Sequence, residues 1–124
     1  MSLIIDLHGM SDSHGIDLCV GLGRHPGGLA IEASQVIQNA FAGYRVTENY
    51  PFSAQADYTL TSFVQREHMT ECIQVEIGAA YRDPSSAPAA ASGLIERFVA
   101  SLAEINRLTV PVQTRPISQQ RRDK

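Results

Sequence analysis

Apolar and polar positions along the chain alternate between two rhythms. Residues 3–7 and 16–22 are short, nearly continuous apolar runs bounded by Gly and Asp, the pattern of strands covered on both faces. Across residues 29–42 the apolar positions Ile31, Ala33, Val36, Ile37, Ala40 and Phe41 recur at helical spacing, and Gly43 follows as a left-handed stop. This predicts an amphipathic helix. "YRVTENYPF" predicts a brief strand that breaks at Pro51, while "ADYTLTSFVQ" is rich in β-formers but mixed in period. In "ECIQVEIG", Ile73, Val75 and Ile77 alternate with Cys72, Gln74 and Glu76, so Glu76 falls on the strand face opposite the three aliphatic side chains.

The last predicted helix is the most regular element. "DPSSAPAAASGLIERFVASLAEI" opens on serine caps and Pro88 and sets Leu94, Ile95, Phe98, Val99, Leu102 and Ile105 on one stripe, predicted to cover the sheet. Residues 1–106 thus read as one α/β domain. Residues 107–124, "RLTVPVQTRPISQQRRDK", carry two prolines and no sustained period, which predicts an extended or disordered tail. No internal repeat is present.

Composition narrows the classes of function. At 124 residues and 44% hydrophobic content, the chain has material for one core and not for two. A formal charge of −3, with the only basic cluster in the terminal "RRDK", argues against a nucleic-acid surface. No apolar run approaches the roughly 20 residues that span a bilayer, and no basic leader precedes Leu3; the expectation is a cytoplasmic protein with no membrane partner. Cys19 and Cys72 sit within apolar runs, where cysteine is expected as a small buried hydrophobe and not as half of a disulfide.

Candidate chemistry gathers where two strands end. The first closes on Asp6, His8 and Gly9, and Glu76 lies near the end of another. In open sheets with parallel strands, polar functional groups collect at the carboxyl edge, because strand interiors are committed to packing. If these two strands run parallel, His8 and Glu76 emerge at one edge. An imidazole oriented by a carboxylate, here Asp6 two residues away, is a common zinc-ligand arrangement, and a nearby glutamate can take a proton from bound water. The plainer alternatives are a strand-end histidine capped by backbone and a solvent-facing strand glutamate.

The segments "LIIDLHGM", "GIDLCVGLG", "YRVTENYPFSA" and "ECIQVEIGAAYRDP", in this order, resemble the second half of the N-formylglutamate amidohydrolase family. The resemblance covers most of the chain. It implies a zinc carboxypeptidase-like α/β fold, with a mixed, largely parallel sheet flanked by helices. It also implies zinc-dependent hydrolysis of an N-acyl amino acid such as N-formylglutamate. His8 matches the family's Asp-x-His zinc ligand and Glu76 its general base and acid, with Asp6 behind the histidine. Asn49 matches a polar position on the substrate side.

Several family features have no counterpart. The family's other two metal ligands, a histidine and an acidic residue, come from a segment before the Asp-x-His strand, whereas five residues precede Asp6 here. The expectation is a domain lacking its N-terminal part. Asp12 and His14 are local candidates to replace those ligands, though turn residues of this kind ordinarily just shape loops. His25 and His68 have no partner at a ligand spacing. "GLGRHPGG" lacks the pattern of a phosphate-binding loop and reads as a flexible connection near the site, and "SAQAD" stands where the family usually carries a Gly-Gly pair. Two functions follow: a zinc amidohydrolase, or a non-catalytic remnant of that fold acting as a binding or assembly module. An absent strand would expose a sheet edge, so the expected macromolecular partner is either a second copy or an N-terminal partner segment.

Overall fold

In the computed structural model, which describes residues 2–68 and 70–109, two parallel strands lie at the heart of the candidate chemistry. β1 (Leu3–Met10) pairs in parallel with β4 (Glu71–Gly78). β4 then pairs antiparallel with β2 (Leu18–Gly21), and β2 pairs in parallel with β3 (Val46–Glu48). The result is a mixed four-stranded sheet in the order β1-β4-β2-β3, flanked by helices. β2 and β4, the inner strands, are the most deeply buried, as their apolar runs require.

One face of the sheet carries the main core. Leu18, Val20, Ile73 and Val75 pack there against Ala30, Ala33, Ile37 and Phe41 of α1 (Gly28–Ala40) and its cap, and against Leu94 and Ile105 of α3 (Pro88–Thr109). Gly43, at φ 92°, supplies the left-handed turn that follows α1. The opposite face is covered in part by the short α2 (Leu60–Arg66). Among the described residues no helix is long and apolar enough to cross a membrane.

Three expectations need correction. "ADYTLTSFVQ" holds α2 and not a strand: the Thr59 hydroxyl accepts the Ser62 N–H at 3.1 Å as an N-cap, and Thr61 and Val64 turn inward. Capping and burial outweigh the β propensity of these residues, because propensity is a weak preference that packing overrides. The six-residue stripe predicted on α3 is also too wide. Ala91, Leu94, Ser101 and Ile105 form the buried row, whereas Ile95, Val99 and Leu102 stay exposed, since α1 and the sheet accept only one row. Finally, α3 continues through Thr109, three residues into the stretch read as a tail. Residues 110–124 lie outside the described residues.

Asp17 joins three segments at the entry to β2. It is buried, and its carboxylate accepts the Arg45 N–H at 2.8 Å, the Arg45 guanidinium at 2.8 Å and the Tyr81 hydroxyl at 2.9 Å. Burial alone would raise its carboxyl, but the hydrogen bonds from Arg45 and Tyr81 outweigh that and hold it below its ordinary 3.8. A depressed carboxyl stabilises the fold above its unfolded value, and that stabilisation disappears as pH falls through the folded value. Asp17→Asn is therefore expected to cost about 2 kcal/mol at neutral pH, the scale of weakened hydrogen bonds to a charged group. In thermal unfolding, the gap from the parent should close on acidification below 3.8; a gap independent of pH would show that charge contributes nothing.

Candidate active site

The register of β1 on β4 sets four polar side chains in a square. Asp6 pairs with Gln74 and His8 with Glu76. Residues paired across parallel strands, and residues two apart on one strand, point to the same face. All four therefore stand on the face opposite the Ile73 and Val75 core, beyond the part that α2 covers. They form the floor of a cleft of about 520 Å³, walled by residues 51–56 and 58–60. β1 runs two residues past His8 to Met10, so the histidine lies within the strand and does not terminate it.

Each pair is internally bonded. His8 Nε2 lies 2.7 Å from Asp6 Oδ2, and the side chain of Gln74 donates to Glu76 Oε1 at 2.9 Å. His8 is half-exposed, whereas Gln74 and Glu76 are 5% and 6% exposed. Burial pushes the Glu76 carboxyl above its ordinary 4.5, the neighbouring Asp6 charge adds to the rise, and His8, Gln74 and Arg82 pull it partly back. A carboxyl raised in this direction by desolvation holds a proton more readily than an ordinary glutamate, the direction that proton-transfer chemistry favours. The arrangement offers an oriented imidazole beside a buried proton acceptor, facing a cleft large enough for a small molecule.

The other sequence candidates lie outside this square. Asn49, expected on the substrate side, hydrogen-bonds the backbone: its side-chain oxygen accepts the Leu22 N–H at 2.9 Å, and its own N–H bonds to the Val20 carbonyl at 2.8 Å. A left-handed φ of 67° fits an asparagine in that turn. Asp12 accepts the Ala80 N–H at 3.2 Å, and His14 stands edge-on to Phe52 with ring centroids 5.1 Å apart. His25 and His68 line a separate hollow with Arg24 and Gln65. The "GLGRHPGG" loop is tethered: Gly23 N–H donates to the Ser53 carbonyl at 2.7 Å, and Gln65 donates to the Leu22 carbonyl at 3.0 Å.

Sequence reasoning missed Gln74, although its position two residues before Glu76 on an alternating strand was the available signal. Nothing in the pattern of residues 51–60 announced that this segment walls the cleft. Comparison of the chain with protein-family models, with curated proteins and with solved structures finds no match.

A zinc site can be tested against these residues directly. A catalytic zinc takes three protein ligands and keeps one position open, and the described residues of one chain contain no group of three or more His, Cys, Asp or Glu side chains placed to hold a metal ion. His8 with Asp6 is a partial donor set. The described residues of one copy do not make a complete zinc centre.

Proposed function

We propose that the cleft over Asp6, His8, Gln74 and Glu76 hydrolyses the amide bond of a small N-acyl amino acid, such as N-formylglutamate, in a zinc-dependent centre of which this chain supplies part. In this reading the fold is zinc carboxypeptidase-like, the chain carries its C-terminal part, and His8 is one of the metal ligands. The observation that carries the proposal is the register pairing of His8 with Glu76 on adjacent parallel strands, with a carboxylate on the imidazole and burial raising the glutamate. Cys19 and Cys72, both free and buried, fit the cytoplasmic placement that belongs to this reading.

The chain's own residues have distinct parts in such a reaction. Asp6 fixes the orientation of the His8 ring. Glu76 accepts a proton from the attacking water as its oxygen bonds to the acyl carbon, and returns a proton to the nitrogen as the C–N bond breaks. The products are a carboxylic acid and a free amine. Gln74 holds the Glu76 carboxylate against rotation, and the segment of residues 51–60 shields the cleft.

The experiment is an assay for free amine released from a panel of N-formyl and N-acetyl amino acids, with zinc supplied. Release that depends on zinc is expected. A zinc-loaded protein that releases amine from none of them would contradict the proposal. It would favour the second reading, a binding or assembly module, which the incomplete donor set among the described residues also supports.

A further inference from the structure

Away from the cleft, the loop between β2 and α1 meets one face of α2 around a second hollow, of about 320 Å³. Ser62, Gln65 and Arg66 stand at helical spacing on that face, and the loop brings Arg24 and His25 to the same space. His68 completes the rim from the left-handed position after α2, at φ 51°, where glycine is usual. Two guanidiniums and two imidazoles thus face one hollow, on a chain whose net charge is −3.

The loop is fixed over α2 by a single side chain. Gln65 accepts the His25 N–H on its Oε1 at 3.2 Å and donates from its Nε2 to the Leu22 carbonyl at 3.0 Å. Gly23, at φ 76°, lets the loop close on that amide, since a Cβ there would stand 2.7 Å from it. Arg24 lies between the two anchored residues, so its starting point is set in advance, which lowers the cost of ordering it on a ligand.

The guanidiniums are poorly matched by the chain itself. Among the described residues the one carboxylate lining the hollow is Asp57. Its Oδ1 lies 3.8 Å from Arg66 and 4.0 Å from Arg24, beyond hydrogen-bond distance of both, and its side chain is 83% exposed. Arg66 spends one N–H on the Asp57 backbone carbonyl at 3.1 Å. Glu71 borders the adjoining space, but its Oε1 is engaged by the Ala30 N–H at 2.9 Å.

We propose that this hollow binds the phosphate monoester of a small organic molecule, with Arg24 and Arg66 on the phosphoryl oxygens and the imidazoles of His25 and His68 donating beside them. Guanidinium forks match phosphate geometry and hold it by charge-assisted bonds. A tetrahedral group with three terminal oxygens can meet two forks at once, which the tethered, planar carboxylate of Asp57 does not. A phosphate monoester carries a charge of about −2 at pH 7, the complement of two guanidiniums once Asp57 turns to solvent, and a loose surface ion pair is readily given up. A further hollow of about 330 Å³ shares His25, Gln65 and His68 with the first and reaches Gly27 and Thr70, which gives room for the organic part. Recognition is by side chains and not by a loop of backbone amides, so it needs no phosphate-loop pattern in "GLGRHPGG". The site is separate from the Glu76 cleft and independent of the hydrolytic reading.

Calorimetric titration of the full chain with glycerol phosphate, inorganic phosphate and acetate at matched ionic strength tests the site. The monoester is expected to bind most tightly, inorganic phosphate more weakly and acetate not measurably. Arg24→Gln, at a side chain 60% exposed, should weaken the monoester by about tenfold or more, the scale of a hydrogen bond to a charged group, and should unfold at the parent temperature. Asp57→Asn keeps the backbone carbonyl that Arg66 uses and removes the competing charge; it should tighten the monoester by about fivefold or more, the scale of one like charge about 4 Å away in water. A chain that binds neither phosphate would overturn the proposal, as would binding that neither substitution alters. Acetate bound as tightly as the monoester would overturn the phosphoryl assignment, and inorganic phosphate bound as tightly would overturn the part given to the adjoining hollow.

Discussion

Glu76→Gln is expected to lower turnover of N-acyl amino acids by about a hundredfold or more, the usual scale for a positioned general acid–base group. The amide keeps the shape of the side chain and can still bond to Gln74, but it cannot take a proton from water. The loss should fall on turnover with substrate binding little changed, because the interaction removed is made as the proton moves. Folding should not suffer. Burial disfavours the charged form of Glu76, so a neutral group at that buried position removes a desolvation cost and leaves the thermal midpoint at or above the parent's. Hydrolysis by Glu76→Gln at the parent rate would make Glu76 an ordinary strand residue.

The largest stability effect is expected at Phe41. It is the largest of the side chains buried almost completely, it closes the C-terminal end of α1 over the core, and its ring meets Tyr44 edge-on with centroids 5.2 Å apart. Phe41→Ala removes that ring and leaves a cavity between α1 and its neighbours, at a cost of about 3–5 kcal/mol. Ile31→Ala on the same helix should change stability by no more than about 0.5 kcal/mol, because Ile31 is an exposed side chain. Denaturant midpoints of the two variants check this contrast. Equal losses would mean that the apolar stripe of α1 faces the core in a different rotation.

The layout of the sheet was legible where burial wrote directly into the residues. β2 and β4 are inner strands, and their apolar runs appear as such in the sequence; Val46–Glu48 is a strand within "YRVTENYPF". The proximity of His8 and Glu76 was legible only as a condition, that their strands run parallel, and the observed pairing meets it. Other features required knowledge of what the neighbours would accept. α2 depends on a threonine cap and on Val64 finding a place against the sheet. The exposed row of Ile95, Val99 and Leu102 cannot be told from a core row by spacing, because two adjacent helical rows satisfy the same period. The backbone bonds of Asn49 were not legible, because a polar residue in a loop gives no sign of whether its amide faces a ligand or its own backbone.

The central claim is that His8 and Glu76 belong to one metal-dependent site in which they do different things. Its most direct test is the zinc bound at equilibrium by parent, His8→Ala and Glu76→Gln with zinc supplied, with turnover measured on the same samples. The account predicts zinc in the parent and in Glu76→Gln, no zinc in His8→Ala, and turnover in the parent alone. Zinc retained by His8→Ala at the parent level would contradict it.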